Sequence, residues 1–211
     1  YFLTLFFIFI TKKNIKIIIF SLFISLIVVS PYVIRNYYIF ETLTITKSFG
    51  YNLWKGNNPK SKSQGYETIY DEEMQKKIDE IYPSAKYDLY IDKIYKAEAI
   101  KNIKLEPFKY VKSYFKKIFA YLFVDFESSY PNYYNLLHIL PKILISILSL
   151  AGVFYLIKKR SLINYFTAYY FLNILLFSIF FIIPRYSLIL LPVQIILSCY
   201  FFKKLKIYTR D

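Results

Sequence analysis

The sequence predicts an all-α polytopic membrane protein whose spanning helices frame a mostly helical extracytoplasmic segment. Three observations predict it. Of the 211 residues, 56% are hydrophobic and 22% aromatic, beyond the range of ordinary soluble domains. The apolar residues gather in runs long enough to cross a bilayer. The charge is partitioned: residues 36–137 hold 15 Lys/Arg against 13 Asp/Glu, whereas the rest holds 13 Lys/Arg and a single acid, Asp211. The net charge of +14 therefore belongs to the short segments flanking apolar runs, which encode topology. Charge distributed in this way marks membrane topology and does not suit nucleic-acid binding.

Taken in order, residues 1–34 hold two spanning elements. Tyr1–Ile10 is an apolar decamer followed by Thr11-Lys12-Lys13. A signal peptide carries its basic residues ahead of the apolar stretch, so this one reads as the remnant of a spanning helix and the chain as the later part of a larger protein. Ile17–Ile34 is an uncharged run whose eighteen residues would cover about 27 Å, close to the thickness of a hydrocarbon core. Ser21, Ser25 and Ser30 can bond back to the preceding turn, and Pro31 is expected to end or kink the helix. Three further runs, His138–Ile157, Leu162–Ile183 and Tyr186–Phe202, make residues 138–202 a second membrane block. Lys12, Lys13 and Lys16, then Lys158–Arg160, then Lys203–Lys206 all fall on one side when the runs alternate. That side is expected to be cytoplasmic and to carry the basic tail 203–211. Residues 35–137 and the tight Pro184-Arg185 hairpin then face outward, in a plasma or inner membrane. The lone Cys199 forms no internal disulfide, so the outer segment holds together without one.

Within 35–137, Phe40–Gly50 is Thr-rich and β-prone and suits a short strand or extended segment. Asn57–Gly65 carries loop chemistry, and Asp71–Ile81 a short helix with acids in its first turn. Tyr87–Leu105 repeats apolar residues in steps of three or four, with an Asp92/Lys96 pair, which predicts an amphipathic helix. Pro107 opens another. Phe108, Val111, Phe115, Ile118 and Leu122 share one of its faces, and Lys109, Lys112, Lys116 and Lys117 lie largely on the other. A basic aromatic helix just before a span suits the headgroup layer.

Arg35 and Arg185 are the sharpest candidates. Each stands at the outer end of a run that contains no acid. A guanidinium at membrane depth calls for an anion, and its planar fork matches phosphate; snorkelling to headgroups is the other reading for each. Asn52-Leu53-Trp54-x-Gly56-Asn57-Asn58-Pro59 sets amides and an indole beside a glycine, a mix that suits a sugar or headgroup and equally an interfacial turn. Asp125 and Glu127, near the return to the membrane, are the best-placed carboxylates for a base, though solvated loop acids look the same. His138 reads as an interface residue at a helix start. No Cys/His cluster, GxSxG elbow, P-loop or GxGxxG occurs, so no metal or cofactor is indicated.

Four segments together carry a resemblance. They are Pro31-Tyr32-x-x-Arg35-Asn36-Tyr37, the Asn52–Pro59 segment, Glu98-Ala99-Ile100 with Glu106-Pro107, and Arg185-Tyr186 with Leu191-Pro192. In order and spacing the chain resembles the C-terminal half of polyprenyl-phosphate-sugar-dependent membrane glycosyltransferases. These form the C-type superfamily, glycosyltransferase family 39-like, with aminoarabinose and protein O-mannosyl transferases. Tyr32 departs from the pattern, since bacterial relatives often carry Trp there. The resemblance implies sugar transfer, with inversion, from a polyprenyl-phosphate carrier to a glycan, lipid or protein acceptor on the outer face. It implies that Arg35 and Arg185 hold the carrier phosphate while Trp54, Asn57 and Tyr186 line the substrate cavity. The family's catalytic carboxylate lies in an earlier outer loop that these residues do not include, so the piece alone is expected to be inactive. The competing expectation is a non-catalytic membrane protein of envelope glycan assembly, a flippase, transporter or scaffold.

Overall fold

The computed structural model describes residues 15–63, 70–157 and 164–208. The expected remnant Tyr1–Ile10, the lysines at 12 and 13 and the Lys158–Arg160 cluster lie outside these residues. The described chain is mostly helical and contains no β-strand. It divides into two compact units, Tyr1–Tyr51 with Glu72–Lys96, and Asn52–Asp71 with Ala97–Asp211. Residues 35–137 thus contribute to both.

The first unit is built on helix α1, Ile15–Phe40, which is long and apolar enough to cross a membrane. Phe20, Leu26 and Val28 stand exposed along it, a surface that requires apolar surroundings. The helix runs past Pro31 instead of stopping there. Proline leaves the Ile27 carbonyl without its usual donor, and the Ser30 hydroxyl donates to that carbonyl at 3.0 Å. The expected serine back-bond also forms at Ser25, whose hydroxyl donates to Ser21 O at 2.8 Å. Glu41 closes α1 in the left-handed region, φ 53°, with its N–H on Tyr37 O at 2.8 Å.

The β-prone segment after α1 forms no strand. Residues 41–48 are irregular, because local hydroxyls take up the backbone groups that a ladder would use. Thr44 Oγ1 donates to Thr46 O at 2.8 Å, the Ser48 N–H donates to Thr46 Oγ1 at 3.3 Å, and Asn36 Nδ2 holds Thr44 O at 2.8 Å. Helix α2, Phe49–Gly56, follows, then α3, Glu72–Asp79, with Glu72 and Glu73 in its first turn. The start of α2 lies against α4, Tyr87–Leu105: Asp92 accepts the Tyr51 N–H at 3.0 Å, and a Cβ on Gly50 would run into the Asp92 backbone.

In the second unit, α5 spans Pro107–Leu122 with proline at its start, where the missing N–H costs nothing. Helix α6, Leu136–Ile157, is the other helix long and apolar enough to cross a membrane. Helix α7, Asn164–Phe177, ends well before the expected Ile183. Residues 178–183 leave the helix; Asn57 Nδ2 takes the Ile179 carbonyl at 2.7 Å, and the Ile182 N–H bonds Ser63 O at 3.2 Å. Pro184 biases the residue before it away from helix, and the expected hairpin is instead a helical turn, α8, Pro184–Ser187. Helix α9, Leu191–Tyr208, completes the chain and carries the basic tail in helical form as far as Tyr208. Of the four whole spans expected, two therefore meet the length and apolarity that crossing requires among the described residues.

The core lies between α6 and α9, with α5 and α7 alongside: Val153, Leu156, Tyr170, Leu190 and Leu197 are buried together. Gly152 brings these helices close, since a Cβ there would run into the Leu197 backbone. Close approach over a small residue, with hydroxyl and amide side chains between helices, is how helices associate without a hydrophobic drive. Ser149 Oγ meets Tyr170 Oη at 3.3 Å and Gln194 Nε2 donates to Ser146 Oγ at 3.3 Å. Gly152→Val is expected to cost about 2 kcal/mol by forcing α6 from α9. Thermal unfolding in detergent reads it, and an unchanged midpoint would show that the contact is slack.

Candidate functional site

His138 and Lys142 stand four residues apart on α6, so they lie one above the other on one face of an otherwise apolar helix. That face borders a cavity of about 380 Å³. Opposite, the α8 turn supplies Arg185, and Tyr121 from the end of α5 closes a side. Pro141, Ile145, Leu188 and Leu191 make most of the wall apolar, with Ser146 and Gln194 as its polar part. No carboxylate lines it. A second cavity, of about 310 Å³, shares His138, Pro184 and Arg185 and is completed by Tyr130, Asn132 and Tyr133.

The cations are held differently. Lys142 donates to Ala120 O at 2.8 Å. Arg185 is exposed and forms no ion pair among the described residues. Its turn is fixed by Tyr121, whose hydroxyl donates to Tyr186 O at 2.9 Å. Burial pushes the Tyr121 phenol up, which keeps it protonated as the donor. The arrangement can take an anion at the cations and an apolar body along the wall.

The residues singled out in the sequence are placed unevenly. Arg185 lines both cavities. Arg35 belongs to the first unit, in the last turns of α1, and is exposed. Tyr186 sits beside Arg185, with its ring packed on Phe177 at 5.1 Å and on Phe181 at 6.2 Å, and does not line either cavity. Trp54 and Asn57 depart from the expected open loop, because α2 runs through the tryptophan. Trp54 is 2% exposed and offers no free ring face to a sugar. Asn57 is spent on the backbone, its Nδ2 donating to Leu53 O at 2.8 Å and to Ile179 O at 2.7 Å. Asn58 likewise closes the helix end on Trp54 O at 3.0 Å. The amide-rich run is a buried helix terminus that holds residues 178–183.

Lys117, expected on the lysine face of α5, is fully buried. Its amine donates to Gly56 O at 2.9 Å and to Asn57 Oδ1 at 3.2 Å. Asp125 is buried, its carboxylate accepting the Glu127 N–H at 3.1 Å, and Glu127 pairs with Lys116 at 3.0 Å. Both acids line a small pocket apart from Arg185. Sequence reasoning passed over Lys142 altogether and took His138 for an interface residue. Their i,i+4 spacing inside an apolar run was the available signal, since an ionisable side chain there is functional by default. Groups of three or more His, Cys, Asp or Glu placed to hold a metal do not occur among the described residues. Comparison with models of protein families, with curated proteins and with solved structures finds no match. The chemistry of the cavity is accordingly read from its own side chains.

Proposed function

We propose that the chain is the carrier-binding part of an integral-membrane glycosyltransferase, one that moves a sugar from a polyprenyl-phosphate carrier to an acceptor outside the cytoplasm. The single observation that supports this reading is the cavity where Arg185, Lys142 and His138 meet apolar walls without a carboxylate. A phosphate monoester on a long hydrocarbon chain has both halves of that chemistry. In the reaction the bond from the sugar's anomeric carbon to the phosphate oxygen breaks, and a bond to the acceptor oxygen forms. The acceptor proton passes to a base and the phosphate leaves with an added negative charge. Pre-placed cations stabilise that charge more in the transition state than in the substrate, so they accelerate the step as well as binding the carrier. On this reading 35–137 and the α8 turn face outward from a plasma or inner membrane, with the C-terminus cytoplasmic, and the distribution of basic clusters in the sequence supports that orientation. Arg35, at the end of α1 in the first unit, is tested separately for a part in carrier binding.

The test is a transfer assay with the intact protein in lipid vesicles, using a radiolabelled sugar on a polyprenyl phosphate. Release of sugar to an acceptor, inhibited by free polyprenyl phosphate, is the expected result. A protein that binds the carrier without releasing sugar would be a flippase, transporter or scaffold, and the enzyme reading would fall.

A further inference from the structure

The outward face of α5 is not the one on which the helix folds. Tyr110, Lys117 and Tyr121 are buried, and Tyr114 donates its hydroxyl to Leu175 O at 3.0 Å, so this face rests on the bundle. Phe108, Val111, Phe115 and Phe119 form a stripe in steps of three and four on a different face. Phe108 is 89% exposed and Phe115 63% exposed. The stripe continues beyond the helix, because Phe126, 78% exposed, stacks on Phe119 with centroids 6.1 Å apart. Lys109, Lys112 and Lys116 run along one edge of it and are exposed. Lys109 and Lys116 pair with Glu106 and Glu127, and Lys112 forms no ion pair among the described residues.

We infer that this stripe docks into the headgroup layer of an anionic bilayer, with the aromatic rings at the acyl boundary and the lysine row toward the phosphates. Two observations select a bilayer over a protein partner. The C-terminal end of α5 is tied to the N-terminal half of α6, through Lys142 on Ala120 O and the Ser146 hydroxyl on Leu122 O. That sets the end of α5 against the first half of the membrane-length helix. The apolar exposure of α5 is also continuous in kind with that of α6, whose Leu137, Leu144, Ile147 and Phe154 are exposed. Rings beside lysines that can snorkel are the composition of a helix lying in the interface. The inference is independent of the sugar-transfer reading, since it concerns the outer side of α5.

The experiment places a tryptophan on the stripe, Phe115→Trp, with Phe108→Trp as a second position. The intact protein is reconstituted in mixed phosphatidylcholine and phosphatidylglycerol vesicles containing lipids brominated near the top of the acyl chain. Trp54, the one tryptophan of these 211 residues, is buried, and the unsubstituted protein provides the background. The added fluorescence is expected to fall about twofold, as for a ring seated in the headgroup and acyl boundary. Lipids brominated at the chain end should quench it less. Replacing Lys109, Lys112 and Lys116 with Glu in the same background should weaken the quenching. An unquenched, blue-shifted tryptophan would mean that protein covers the stripe, and an unquenched, red-shifted one that water does; either overturns the inference. Quenching indifferent to the three charge reversals would overturn its anionic part.

Discussion

Arg185→Ala is expected to lower sugar transfer from a polyprenyl-phosphate donor about 10²- to 10³-fold, the usual loss when one pre-placed donor to a developing oxyanion is removed. The argument rests on where the guanidinium stands. It borders both cavities, no acid neutralises it among the described residues, and the Tyr121 to Tyr186 O bond of 2.9 Å fixes its turn. Most of the loss should fall in kcat, because the phosphate is more charged on departure than in the donor. Arg185→Lys keeps the charge but not the fork and should recover only part. Lys109→Ala, on the outer edge of α5, should change transfer by less than about twofold, as an exposed lysine paired with Glu106 carries little. Arg35→Ala completes the set: a loss of the same order would make it a second ligand of the carrier, and a small change an anchor of α1. Equal, small effects from Arg185→Ala and Lys109→Ala would sink the phosphate reading.

How far the sequence disclosed this architecture can be seen element by element. Tyr87–Leu105 and the start of α5 at Pro107 emerged with the expected limits, because an apolar period of three to four and an N-terminal proline are local signals. The Thr-rich segment was misread because its own hydroxyls take the backbone groups a strand would use, and the indole and Lys117 were misplaced because the partners of their surroundings are distant in sequence. Asn57 bonds Ile179, and Lys117 bonds Gly56, contacts that no local window contains. The amphipathic reading of α5 divided it into two faces where the fold uses three, and Lys117 went to the wrong one. At the candidate site Arg185 was legible as a cation at the end of an apolar run that contains no acid. Lys142 was equally legible by that criterion, yet the run around it was taken only as a span.

The stability of the second unit should rise with pH between about 8 and 10, and Lys117 is the reason. Its amine caps the C-terminal end of α2 through Gly56 O and Asn57 Oδ1, in full burial and with no acid in contact, and desolvation lowers its pKa from 10.5 to about 8. The folded pKa is below the unfolded one, so below about 8 both states are charged and the fold bears the whole cost of the buried ammonium. Between 8 and 10.5 the unfolded chain holds a proton that the folded chain has released, and stability increases with pH across that window. The whole window is worth about 3 kcal/mol. Lys55, lowered by burial as well, adds in the same direction. Above 10 the tyrosines oppose the trend. Burial raises Tyr110 and Tyr121, the unfolded chain then loses protons first, and stability falls. Thermal midpoints in detergent from pH 7 to 11 should therefore pass through a maximum near 10. Lys117→Met should reduce the rise at whatever absolute stability it has, since losing the ammonium relieves desolvation while leaving Gly56 O and Asn57 Oδ1 without a donor. A rise that survives Lys117→Met intact would place the titrating group elsewhere and return Lys117 to a simple hydrogen-bonding role.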